Sequence, residues 1–528
     1  MKVKILLLII IILAAAVRIY KLDSVPPSIS WDEAAVGYNA WTIANFGKDE
    51  YGKFFPASFR SFGEYKNPVD IYITSIFVKF LGLNEISTRL PSAVFGVLNI
   101  FLIYFLAKLL FEKEYIGLIS AFFLAISPFN IHFSHFNHEA NFALFFLMLG
   151  LFLFLLSVKK GKKVLPLSIL SFCLSFLSYN PPKVVIPSLL ILLFVLYAKE
   201  LLKKRQQLIF SLSLLGLFLV FVFFNPNLLG GARISQTIQG KSDIEKTRLF
   251  QLTQNELLGR VNLAAIQYSW HFSPQFLFMS GDKNPRLSSQ STGEFYNLDV
   301  LFLLLGIVYL LRKRTKEGFL LLGVALIAPL PSSMVAEAPH AGRAMFMMGS
   351  WNLISAVGFY SLVTFFRNLY IRQIIIILSV VVLSLSLKDY LSYYYGEYVN
   401  RYAIEWQYGM KQIVEFVKQN PSYNQVYTTD VRSQPYIFFL YYLKTPLPDY
   451  LNIVIYNNSQ SKSYNNVLLF GRFSFGGWDT IESVPIKDVL YVLSPSQYDG
   501  LRYKSSFDVK KIVYYPNGTS AFYMVSAK

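Results

Sequence analysis

Cysteine is almost missing from this chain. Cys173 is the single example, set inside an apolar run, so no disulfide can close within the chain and no cysteine-rich metal site can be built. Charge is also scarce, at 15% of residues, against about 25% in an ordinary soluble domain. Acidic residues are the rarer sign, 31 against 49 basic ones. No internal repeat and no low-complexity segment is visible, so the fold is not an array of repeated units. Apolar surface takes the place of charge: 54% of residues are hydrophobic and 17% aromatic. A lipid bilayer is the expected solvent for most of the chain. The formal charge of +18 does not indicate nucleic acid, because the basic residues sit in short loops between apolar runs. That distribution is the topology signature of a membrane protein.

A spanning helix needs about 20 mostly apolar residues. Spans are expected near 4–20, 89–110, 115–134, 141–157, 164–180, 182–198, 207–225, 298–312, 318–335, 343–366 and 372–389, about eleven in all. The N-terminus, Met1-Lys2-Val3-Lys4 and an apolar run to Ala16, resembles a signal peptide. No convincing cleavage site of small residues precedes Arg18, and many more apolar runs follow, so a retained first span is expected. Residues 68–82 are shorter and carry Asp70 and Lys79; they read as an interfacial or re-entrant segment. With that choice the clusters Lys159–Lys163, Lys199–Arg205, Arg312–Arg314 and Arg367–Arg372 all fall on the cytosolic side. The outer side then receives a first loop (21–88), a turn at His135–Asn141, a long loop (226–297), a turn at Glu337–Gly342 and the tail from about residue 390.

The tail changes character. Gln425–Thr428, Val467–Phe470, Val489–Val492 and Lys511–Tyr515 read as strands, and Glu405–Gln419 as an amphipathic helix. The expected architecture is a mainly α polytopic bundle over 1–390, with an extracytoplasmic α/β domain over 391–528.

The unusual polar residues gather on that outer side. Asp32 and Glu33 follow the first span in Ser30-Trp31-Asp32-Glu33-Ala34. Carboxylates so close to a bilayer are costly unless they face water and have a task; the plainer alternative is a helix N-terminal cap. Lys66, in Glu64-Tyr65-Lys66-Asn67-Pro68, could neutralise a phosphate at headgroup depth or simply snorkel. His135, His138 and Glu139 stand at a helix mouth, where His and carboxylate ligands could hold a divalent metal, although the spacing matches no zinc pattern. His271–Phe278, Gly281–Arg286 and Gly293–Tyr296 read by composition as a packed loop with turns at Gly281 and Pro285. Glu337-Ala338-Pro339-His340-Ala341-Gly342-Arg343 opens another span. Arg343 at a helix start could bind an anionic oxygen or snorkel.

At these residues the chain resembles a family. The Trp-Asp-Glu-Ala motif, the Glu-Tyr-Lys-Asn-Pro segment and Arg89-Leu90-Pro91-Ser92-Ala93 are similar to GT-C glycosyltransferases. The branch is that of the dolichyl-phosphate-mannose protein mannosyltransferases and aminoarabinose lipid A transferases (glycosyltransferase family 39 and its relatives). The resemblance covers about residues 1–390. It implies a GT-C fold and transfer of a sugar, with inversion, from a polyprenyl-phosphate donor to a glycan, lipid or protein hydroxyl on the non-cytoplasmic face of the cell membrane.

Carried over, Asp32 is the general base and Glu33 supports it or the acceptor. Lys66, Arg343 and His340 stabilise the leaving phosphate. Arg286 is a weaker phosphate candidate, because this chain has Arg286-Leu287-Ser288 where relatives show Arg-His-Ser. Glu139 matches the second acidic position of the fold. Some members use a metal there and others do not, which leaves a divalent ion at Asp32 and Glu139 open. The MIR insertion of eukaryotic protein mannosyltransferases is missing, which argues against a protein Ser/Thr acceptor. A transporter or flippase for lipid-linked sugars would share the bundle and the affinity for phosphate. It calls for ionisable residues near mid-membrane, and the spans carry few. A non-catalytic scaffold acting through the outer domain is a third reading.

Overall fold

The computed structural model describes residues 2–231, 237–457, 465–476 and 486–528. The chain forms two compact units, Met1–Tyr20 with Ser92–Tyr393, and Lys21–Pro91 with Tyr394–Lys528. These cut the chain elsewhere than the expected 1–390 and 391–528, because the first outer loop folds with the tail.

The first unit is a helical bundle. Among the described residues six helices are long and apolar enough to cross a membrane: Glu85–Phe111, Glu139–Lys160, Pro182–Leu202, Arg205–Phe224, Phe346–Phe365 and Leu369–Arg401. Glu114–Ile126 and Pro128–Ser134, bent by 57°, add a seventh crossing if they count as one. The other expected spans are helical but shorter or more charged than a full crossing. Asp299–Lys313 has 15 residues, and Leu165–Phe176 and Lys316–Ile327 have 12 each. Lys2–Ile19 is long enough but carries Lys2, Lys4 and Arg18. Proline accounts for part of the shortening: Pro329 stands two residues beyond Lys316–Ile327 and cannot donate to a helical ladder.

Arg18 shows how this unit admits a charge. It is fully buried. Its guanidinium donates to Leu124 O at 3.2 Å and Ala125 O at 3.0 Å, carbonyls in the last turn of Glu114–Ile126, and its Nε donates to Asn130 Oδ1 at 2.9 Å. A cation there gives the carbonyls of the last turn a donor and complements the helix dipole. Helices Asp299–Lys313 and Phe346–Phe365 approach closely through glycine. A Cβ on Gly358 would collide with Phe302 O, and one on Gly306 with Ile354 O. Small residues at such crossings let helix backbones touch in a membrane.

In the second unit, Pro68–Leu81 is a helix of 14 residues, too short to cross a bilayer, as expected for an interfacial segment. It follows an antiparallel hairpin, β1 (Phe59–Ser61) and β2 (Glu64–Lys66), with Phe59 opposite Lys66. The hairpin turns at Phe62 and Gly63, both at positive φ (50° and 81°), the geometry that matches strand twist.

The tail builds a seven-stranded mixed sheet from described residues. Its strands are β3 (Gln425–Thr428), β4 (Val454–Tyr456), β5 (Val467–Phe470), β6 (Phe473–Phe475), β7 (Val489–Leu493), β8 (Phe507–Tyr514) and β9 (Ser520–Ala527), in the order β4-β5-β6-β3-β7-β9-β8. β3 runs parallel to β6 and β7; the other pairings are antiparallel. Every residue of β7 is buried, as a strand covered on both faces requires. The helix expected over Glu405–Gln419 is a 3-10 turn at Ala403–Trp406 followed by Met410–Gln419, which buries Met410, Ile413, Val414 and Val417, one stripe at helical spacing.

The first loop shares this core. Tyr38 Oη donates to Thr445 O at 2.8 Å, and Thr88 Oγ1 and Tyr441 Oη lie 2.8 Å apart. A side chain on Gly37 would run into Tyr441 and Thr88.

Candidate active site

The second unit positions Asp32, Glu33 and Lys66. Ser30 caps helix Trp31–Phe46: its hydroxyl accepts from Glu33 N at 3.3 Å, while Glu33 Oε2 accepts from Ser30 N at 3.0 Å. This reciprocal capping box fixes the first turn. Asp32 and Glu33, neighbours in sequence, therefore point to different surroundings. Glu33 is fully buried, and Arg89 binds it through Nε to Oε1 at 2.8 Å and Nη2 to Oε2 at 3.3 Å. Arg89 also donates to Leu22 O, Pro26 O and Ser28 O at 3.1, 3.0 and 2.5 Å. The Glu33–Arg89 pair thus ties the segment before the helix to the start of Glu85–Phe111. Such a pair holds only when the remaining hydrogen-bonding capacity of both ions is filled, as it is here.

Asp32 is 41% exposed, and Lys66 only 7%. Lys66 Nζ donates to Asp32 Oδ1 at 2.6 Å. The cation comes from the end of β2, held in place by the hairpin. An exposed carboxylate beside a mostly buried ammonium can accept a proton from a bound alcohol while the ammonium attracts an anion.

The first unit positions Glu139, Arg286, His340 and Arg343. His340 Nδ1 accepts from Arg343 N at 3.2 Å, and Arg343 donates to Ala336 O at 2.8 Å, with Glu337 Oε2 at 3.5 Å. A Cβ on Gly342 would stand 3.3 Å from His340 Cε1 and 3.4 Å from His138. The turn 340–343 therefore lies against His138, the residue before Glu139. His138 Nδ1 accepts from Ala140 N at 3.1 Å and so caps Glu139–Lys160; it is 4.0 Å from Glu139 Oε2. Arg286 is drawn into the same unit through its main chain, its carbonyl 2.9 Å from His132 Nε2. Among the described residues no three of His, Cys, Asp and Glu gather in a way that could hold a metal ion.

Sequence reasoning gave no role to Asp282, Glu294 and His271, which it placed in a packed loop. All three are buried. Burial pushes the Asp282 carboxyl up to about 6, the Glu294 carboxyl well above its ordinary value, and the His271 imidazole down to about 4. His271 is therefore neutral near pH 7. The available signal was two acids close to Gly281 and Gly293. Gly281 has φ of 74°, and a side chain on either glycine would strike the loop's own atoms.

Residues 65–229 match the family described as Dolichyl-phosphate-mannose-protein mannosyltransferase. A Bacillus subtilis protein named "Putative mannosyltransferase YycA" is 30% identical over 213 residues, which cover 39% of this chain and 30% of that protein. The match thus spans less than a third of that relative's length. ArnT from Cupriavidus metallidurans in the apo state superposes with a TM-score of 0.57 at 13% identity, covering 98% of this chain and 97% of that one. The same protein solved bound to undecaprenyl phosphate gives 0.56 at 13%, with the same coverage. The Archaeoglobus fulgidus oligosaccharyltransferase tethered to an acceptor peptide gives 0.51 at 16%, covering 98% of this chain and 74% of that one. The chain is a multi-pass membrane protein with the GT-C fold, and its residues 65–229 carry the mannosyltransferase family match.

Proposed function

We propose that this protein is a membrane glycosyltransferase that moves a sugar from a polyprenyl-phosphate donor to an acceptor hydroxyl on the outer face of the membrane, with inversion. The observation that carries the reading is the exposed Asp32 carboxylate held against Lys66 on the capped first turn of Trp31–Phe46. It stands in a chain with the fold of ArnT, a protein solved with undecaprenyl phosphate bound.

Asp32 takes the proton of the acceptor hydroxyl. The hydroxyl oxygen attacks the anomeric carbon from the face opposite the phosphate. The carbon–oxygen bond to phosphate breaks, and its electron pair leaves with the polyprenyl phosphate. Lys66, His340 and Arg343, with Arg286 as a further candidate, stabilise that leaving anion. Such preorganised cations act most strongly where charge develops. Glu33 holds the turn that presents Asp32, and Glu139 lies beside the turn that presents Arg343.

The test is incubation of the purified protein with a panel of polyprenyl-phosphate sugars and a mixed acceptor pool, reading released polyprenyl phosphate. Release that depends on Asp32 supports the proposal. An Asp32→Asn protein with full turnover excludes Asp32 as the base.

A further inference from the structure

The turn that carries His340 and Arg343 is gripped through its main chain. Asp282 Oδ2 accepts from Ala341 N at 2.6 Å, and His271 Nε2 accepts from His340 N at 3.4 Å. Asp282 is itself tied on both sides. Its Oδ1 accepts from Asn284 N at 2.8 Å, and its own N donates to Glu294 Oε1 at 3.2 Å. Glu294 sits on a segment laid against Phe276 and Leu277, where Glu294 N donates to Phe276 O at 3.3 Å and Phe295 N to Leu277 O at 2.8 Å. Gly293 is needed for that approach, since a Cβ there would meet the Leu277 and Phe278 main chain. Two carboxyl groups buried to 4% and 2% exposure are expensive to hold unless they are hydrogen-bonded. Here their acceptors lead to the amide between His340 and Arg343.

We infer that Asp282 is a positioning residue for the His340–Arg343 turn, with Glu294 holding Asp282 in place. It acts by fixing the Ala341 amide and, through it, where the His340 ring and the Arg343 guanidinium point. The consequence for phosphate binding rests on the proposed function; the grip on the turn does not. A hydrogen bond between a carboxylate and a main-chain amide is among the stronger ones in proteins. Its loss therefore frees the turn without removing either side chain that it carries.

The test uses the full-length protein in detergent micelles, with Asp282→Ala, Asp282→Asn, Arg343→Ala and the Asp282→Ala/Arg343→Ala double variant. Hydrogen–deuterium exchange of peptides over 336–346 reads the grip without any ligand. Equilibrium binding of undecaprenyl phosphate reads its consequence. Asp282→Ala is expected to speed exchange over 336–346 by about tenfold while peptides over 59–66 stay unchanged, and to weaken undecaprenyl phosphate binding by a similar factor. Asp282→Asn keeps an oxygen acceptor but loses the charge, and is expected to speed exchange over 336–346 by about threefold, so it still reads the grip if the alanine variant does not fold. In the Arg343→Ala background Asp282→Ala is expected to add a smaller loss of binding, only the part carried by His340. Unchanged exchange over 336–346, or an equal additional loss in the Arg343→Ala background, overturns the inference. A wild-type protein that ignores undecaprenyl phosphate but shows the exchange effect defeats the functional reading and leaves the grip standing.

Discussion

Lys66 Nζ rests 2.6 Å from Asp32 Oδ1, a contact made by residues 34 positions apart. It joins the hairpin to the capped turn and places a cation beside the proposed base. Asp32→Asn is expected to lower turnover by about 10²–10⁴-fold, the range for losing a general base, while donor binding stays within about threefold. Lys66→Ala is expected to raise the donor KM instead. Steady-state kinetics separates the two, and identical kinetic defects in both variants would show that they do not divide these roles.

Glu33 stands next to Asp32 but answers to different forces. Glu33→Ala leaves the buried Arg89 guanidinium without its carboxylate. Breaking one partner of a buried pair costs about 3–5 kcal/mol, so a fall of several degrees in melting temperature is expected. Thermal unfolding in detergent measures it. Unchanged melting would mean that the pair contributes nothing net. Glu33→Gln, which keeps a hydrogen-bond acceptor for Arg89, is expected to fall between the two.

Glu50 gives the second unit a pH dependence. Tyr436 Oη donates to its Oε1 and Asn39 Nδ2 to its Oε2, both at 2.9 Å, and it lies buried beside Asp49 and Tyr51. Burial, the largest influence, pushes its carboxyl up to about 7. An acid raised in the folded state binds its proton more tightly there than when unfolded. Its contribution to stability is therefore full below the ordinary carboxyl range near 4.5 and is lost as pH rises through about 7. The swing is on the order of 3 kcal/mol. Melting temperatures between about pH 5 and 8 are expected to fall more steeply in the wild type than in Glu50→Gln. Parallel curves would contradict this.

How far the sequence could be read depended on the range of the contacts. The short helix near 68–82, the Met410–Gln419 helix and strands near 425, 467 and 489 followed from local periodicity and length. The Phe62-Gly63 turn and Ser30 at a helix start are local signals too, and they position Lys66 and Asp32. Arg89 was legible only through family resemblance. Its bond to Glu33 spans 56 positions, and no local pattern announces it. The same is true of Tyr436 meeting Glu50 and of Asp282 meeting Ala341. The expected span 318–335 runs past Pro329, where helix Lys316–Ile327 has already ended, because hydropathy averages over a break that the backbone cannot ignore.

Gly306 tests the packing of the bundle. Gly306→Ala puts a methyl group against Ile354 O, a rigid main-chain neighbour, so the two helices must separate. Overpacking of this kind costs about 1–3 kcal/mol. A lower melting temperature and a lower yield of folded protein in detergent are expected. A fully stable variant would show that the helices separate at little cost.

The most direct measurement is the release of polyprenyl phosphate from polyprenyl-phosphate sugars by purified wild-type and Asp32→Asn proteins, side by side. The account predicts release from at least one donor by the wild type, and next to none by Asp32→Asn at matched donor binding. Equal release by both proteins, or none by the wild type from any donor in a broad panel, would contradict it.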